Sequence, residues 1–80
     1  MAIPTELLGV LESTPNTLSG AIRFVGTRVP VQALLDTILC GESVDYFLID
    51  YPDVTREQAL QVVAWEQNKV RASLGLDLAS

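Results

Sequence analysis

The sequence contains no histidine, a single cysteine and a single tryptophan in 80 residues. Without histidine, and with Cys40 alone, the usual zinc ligands and the imidazole of most acid–base sites are missing, and no internal disulfide can form. There is no glycine-rich phosphate loop and no nucleophile–base pair at a recognisable spacing, so the chain reads as non-enzymatic, with no metal and no cofactor. No apolar run approaches the roughly 18 residues needed to span a bilayer, and the N-terminus lacks the layout of a secretory signal. The expectation is a cytoplasmic protein that does not associate with membranes.

Positive charge is missing from one long stretch. Asp36, Glu42, Asp45, Asp50 and Asp53 follow one another with no Lys or Arg between them, and this stretch holds the whole formal net charge of -5. It forms an acidic surface, either a solvated face or a patch that attracts a basic partner and repels phosphate. Hydrophobic residues make up 49% of the chain, more than one small core is expected to hide. Oligomerisation or complex formation is the expected outlet. Cys40, beside Ile38 and Leu39, is expected to be buried and inert.

Three helices can be placed. Val31, Leu34, Leu35, Ile38 and Leu39 carry helical spacing over residues 31–40, with Pro30 suited to the first turn and Gly41 to the stop. Ser43 can cap a second, shorter helix in which Val44, Phe47 and Leu48 share a face, and Tyr51-Pro52 ends it. Thr55 and Gln58 have capping-box spacing for the longest helix, which runs to about Ser73 before Gly75. Its expected core face is Ala59, Leu60, Val63, Val70 and Leu74. Trp65 then falls nearly opposite, among Gln58, Gln61, Asn68, Lys69 and Ala72. It either lies against another part of the chain or anchors an interface.

Upstream, residues 21–25 alternate Ile22 and Phe24 against Arg23 and read as a short strand, with residues 9–13 as the available partner and Thr14-Pro15-Asn16-Thr17 as a turn. Such a hairpin must pack on the helices or pair with the same strand of another copy, which would give a symmetric dimer. The fold class is mainly α, with a strand-containing arm over 1–30, a three-helix, helix-turn-helix-like bundle over 31–74, and a frayed tail over 75–80, all in one domain.

Pro15-x-x-Leu18-x-Gly20, then Gly26-Thr27-Arg28-Val29-Pro30-Val31, then Tyr51-Pro52-x-x-Thr55 resembles the small bacterial domain of unknown function 433, over about residues 10–70. That family is grouped with helix-turn-helix domains. The resemblance implies an antitoxin similar to the VapB type, whose partner is a PIN-like ribonuclease toxin encoded by a neighbouring gene. The family pattern commonly has lysine and then proline after the first glycine, and arginine before the Gly-Thr-Arg block; this chain has Ala21, Ile22 and Val25 there, two positive charges fewer.

The residues carry a reading of their own. Gly26 can take a positive φ, Thr27 can hydrogen-bond the bend, and Pro30 fixes the entry to the first helix. Arg28 is expected to hold Asp50 or Asp53 and lock the hairpin to the helices, with direct contact to a partner as the alternative. For DNA, the third helix offers Arg56, Gln58 and Gln61, but the helix before it carries Asp45 and Asp50, the wrong sign for a phosphate backbone. Protein recognition fits better, through Trp65, Gln58, Gln61, Asn68 and Lys69 together with Asp45, Asp50 and Asp53.

Overall fold

The computed structural model describes residues 3–14 and 20–76. A 3-10 helix at Thr5–Leu7 leads into strand β1 (Leu11–Glu12), which pairs antiparallel with β2 (Arg23–Phe24) in the register Leu11 to Phe24 and Glu12 to Arg23. Three helices follow: α1 (Val31–Leu39), α2 (Val44–Asp50) and α3 (Arg56–Leu74). The molecule is mainly α, a two-stranded hairpin ahead of a helix-turn-helix-like bundle.

The link from β2 to α1 is built by the Gly-Thr-Arg-Val-Pro block. Gly26 adopts φ +78°, where a side chain would strain the backbone. Thr27 donates its hydroxyl to the Phe24 carbonyl at 3.0 Å and accepts from the Val29 amide at 3.1 Å. The chain thereby doubles back along β2. Phe24 N–H donates to Val29 C=O at 3.0 Å, and Val31 N–H to Ile22 C=O at 2.9 Å. Both edges of β2 are therefore occupied. Pro30 takes the position before the first helical residue, with extended backbone, rather than a place in the first turn.

The helix ends follow their local signals. Ser43 Oγ accepts from the Tyr46 amide at 3.1 Å. Thr55 and Gln58 form a reciprocal capping box, and Gln58 Nε2 also donates to the Val25 carbonyl at 3.1 Å. Gly41 and Gly75 have positive φ. At the end of α3 the Leu76 amide donates to Arg71 C=O at 2.7 Å and the Gly75 amide to Ala72 C=O at 3.3 Å, the two bonds of a Schellman stop. Gly75 and Leu76 thus belong to an ordered cap, and the remainder of the expected frayed tail lies outside the described residues. So does most of the turn expected at residues 14–17.

Phe24, Leu34 and Phe47, one each from β2, α1 and α2, are fully buried at the centre. The Phe47 ring lies 6.1 Å from Phe24 and 4.9 Å from Tyr51, centroid to centroid. Leu7, Val10 and Leu11 close the core from the N-terminal side, Val54 from the turn, and Ala59 and Val62 from α3.

Two expectations are corrected here. The core side of α3 is Ala59 with Val62, while Leu60, Val70 and Leu74 are 47%, 53% and 66% exposed and only Val63 of the larger residues is half-buried. Both sides of α3 carry apolar residues three and four apart. The arm and α2 pack on the side with the smaller aliphatics and Trp65, leaving the larger ones outside. Cys40 is exposed, because it terminates α1 on the side away from Leu34.

Candidate interaction surface

Trp65 lies against the chain itself. It is half-buried, packs on the core, and borders a shallow groove of about 370 Å³ with Glu6 and Leu7 of the 3-10 helix and with Gln61, Ala64, Asn68 and Lys69. Lys69 Nζ stands 5.6 Å from the indole centroid, within cation–π range. The 3-10 helix packs on the same side of α3, so part of the tryptophan surface is used within the chain.

The polar residues expected around it divide. Gln58 is half-buried and fully engaged: its Oε1 accepts from Thr55 N–H at 2.9 Å and its Nε2 reaches Val25. Gln61 is exposed and donates to Glu57 at 3.2 Å. Asn68 and Lys69 are exposed at the groove rim. Arg56 is paired with Asp45, so the three residues proposed to read DNA, Arg56, Gln58 and Gln61, all have intramolecular partners.

Arg28 does not clamp Asp50 or Asp53. It is exposed, and among the described residues the ion pairs are Arg23 with Glu12 and Arg56 with Asp45. Arg23 has the locking role instead. Its side chain, 11% exposed, meets Glu12 directly across the hairpin at 3.1 Å, donates through Nε to Thr27 C=O at 3.1 Å, and donates through Nη2 to Thr14 Oγ1 at 3.1 Å. One guanidinium therefore joins β1, β2 and the Gly-Thr-Arg bend. Alternation alone sets Arg23 apart from Ile22 and Phe24 without a role; a glutamate directly opposite it in the hairpin register is the available signal.

The acidic stretch is displayed on the outer side of α2. Val44, Phe47, Leu48 and Tyr51 face inward, so helical spacing turns Asp45, Tyr46, Ile49 and Asp50 outward. Tyr46 is 48% and Ile49 77% exposed. Glu42 precedes this face, and Asp53 follows it in the turn before α3; both are exposed. An aromatic and a branched aliphatic residue thus share the exposed side of α2 with Asp45 and Asp50, while Glu42 lies before the helix and Asp53 beyond it, next to the Gly-Thr-Arg bend; among the described residues Asp45 is the one of these four carboxylates in an ion pair, with Arg56.

Among the described residues, no group of three or more histidine, cysteine, aspartate or glutamate side chains could hold a metal ion, and no helix is long and apolar enough to cross a membrane. Residues 11–65 match the family described as Protein of unknown function (DUF433). The chain belongs to the DUF433 family. Its fold is similar to the crystal structure of a DUF433 member protein from Anabaena variabilis ATCC 29413, with 25% identity and a TM-score of 0.64 over 94% of this chain and 86% of that one. No curated protein is significantly similar to the chain in sequence. The DUF433 match begins at β1 and ends at Trp65, so the 3-10 helix and the last nine residues of α3, 66–74, lie beyond it.

Proposed function

We propose that this DUF433 protein is a non-enzymatic, antitoxin-like recognition protein that binds and neutralises a PIN-like ribonuclease encoded beside it. The observation that carries the reading is the outer face of α2, where exposed Tyr46 and Ile49 alternate with exposed Asp45 and Asp50, with Glu42 and Asp53 exposed before and after the helix. Exposed apolar residues beside a surplus of carboxylates suit a partner whose surface is basic around an apolar notch, and the groove by which a ribonuclease holds RNA phosphates is such a surface. The carboxylates steer the encounter, and Tyr46 and Ile49 provide the desolvated contact. This moves the expected anchor from Trp65 to α2 while retaining Asp45, Asp50 and Asp53.

The reading is tested by co-expressing the protein with the nuclease encoded by the adjacent gene. The expected result is co-purification and loss of RNA cleavage, both abolished by Ile49→Arg and weakened by raised salt. Undiminished cleavage in the presence of an equimolar amount of this protein overturns the proposal. A DNA-binding role has less support, since the start of α3 is held by contacts to Asp45, Val25 and Glu57.

A further inference from the structure

The side of α3 that the domain leaves uncovered has a regular pattern. Leu60, Val63, Gln67, Val70 and Leu74 recur at steps of three, four, three and four, the 3.5-residue period that keeps one seam of a helix facing a partner helix. Leu60, Val70 and Leu74 on this seam are about half to two-thirds exposed. Val63 is half-buried where the seam leaves the globule.

We infer that this seam is the contact surface for a second copy of the chain, joined through a short parallel coiled coil of the two α3 helices. Charge complementarity selects that occupant and that orientation. With Leu60, Gln67 and Leu74 at one seam position and Val63 and Val70 at the other, Glu66 and Arg71 become the flanking residues. They are separated by five, which is the offset at which flanking residues of two parallel helices face each other. Glu66 of each copy meets Arg71 of the other, giving two symmetric ion pairs. Within one chain, neither residue belongs to either of the ion pairs among the described residues.

Gln67 points the same way. In a parallel pair it faces Gln67 of the second copy, amide to amide, so both can hydrogen-bond. In an antiparallel pair it would face an apolar seam residue such as Val70 and lose its hydrogen-bond partners on burial. The bulk of each domain packs on α3 through Ala59, Val62 and Trp65, of which Ala59 flanks the start of the seam, and beyond Val63 it leaves Gln67, Val70 and Leu74 exposed. Two heptads make a small contact, so the association belongs in the micromolar range.

The test is analytical ultracentrifugation of the full chain across the micromolar range. The expected result is a monomer–dimer equilibrium, reduced to monomer by Val70→Asp with the helical circular dichroism retained. Glu66→Arg and Arg71→Glu separately create like-charge pairs on both flanks and weaken the dimer about tenfold. An equimolar mixture of the two variants recovers it, since each copy then supplies what the other lacks. A wild-type chain that stays monomeric throughout that range overturns the inference. So does a dimer indifferent to the charge reversals, or one that mixing the variants fails to restore.

Discussion

The two long sides of α3 are made of similar residues and have different environments. On one, Ala59, Val62 and Trp65 are covered by α2, the hairpin and the 3-10 helix; on the other, Leu60, Val70 and Leu74 face out although they are larger and more apolar as a set. What separates them is the rest of the chain. The capping box fixes where α3 starts, Gln58 reaches back to Val25, and the burial of Phe47 with Ala59 and Val62 sets α2 beside it, the exposed Arg56 pair with Asp45 lying at the rim. These three tethers orient the helix about its axis. The buried side is the one they turn inward.

The contrast is sharpest where loss of contact is largest. Phe47→Ala removes a ring packed between Phe24 and Tyr51 and is expected to cost about 3–5 kcal/mol, a large share of the stability of so small a domain. Urea unfolding followed by circular dichroism measures it. By the same measurement, Arg23→Ala should cost about 2–3 kcal/mol, because it breaks a charged hydrogen-bond network spanning β1, β2 and the bend. Arg28→Ala should stay within about 0.5 kcal/mol, as an exposed residue that belongs to neither ion pair among the described residues. Equal effects at the two arginines would remove the distinction drawn between them.

Trp65→Ala tests the covered side of α3 directly. A loss of about 2 kcal/mol is expected, with earlier exchange of the amides in the 3-10 helix, since that segment borders the indole across the groove. Thr55→Ala removes one half of the capping box for about 1 kcal/mol. Leu74→Gln, on the uncovered side, should change monomer stability by no more than about 0.5 kcal/mol. A cost as large as that of Trp65→Ala would mean that the two sides do not differ as described.

What the sequence made legible was local. Ser43, the Thr55 and Gln58 pair, Gly26, Thr27 and Gly75 each satisfy nearby backbone groups, and each acts as its residue type suggests. The same holds for the partnering of residues 9–13 with 21–25, since a hairpin is a local object. Choices made between distant segments were not legible. Spacing offers α3 two apolar sides and does not say which one the arm will cover. Arg28 sits in the more conspicuous motif, yet it is Arg23 whose opposite number across the hairpin is a glutamate. The 3-10 helix also went unanticipated, although Leu7, Val10 and Leu11 have the spacing of a buried face. On the candidate surface, the carboxylates were visible as a run, whereas Tyr46 and Ile49 stood out only once α2 had been turned with Phe47 inward.

Gln58 has a consequence that reaches beyond helix capping. Its amide spans 33 positions of sequence to meet Val25, immediately before the Gly26 bend, while its carbonyl oxygen caps Thr55 just after Tyr51-Pro52. The two blocks by which the chain resembles its family are thereby energetically coupled at a single side chain. Disturbing either block should loosen the other, and in a double-mutant cycle Gly26→Ala with Thr55→Ala would cost something other than the sum of the two alone. The paired signature in the sequence corresponds to one cooperative joint that closes when the bend after β2 meets the start of α3.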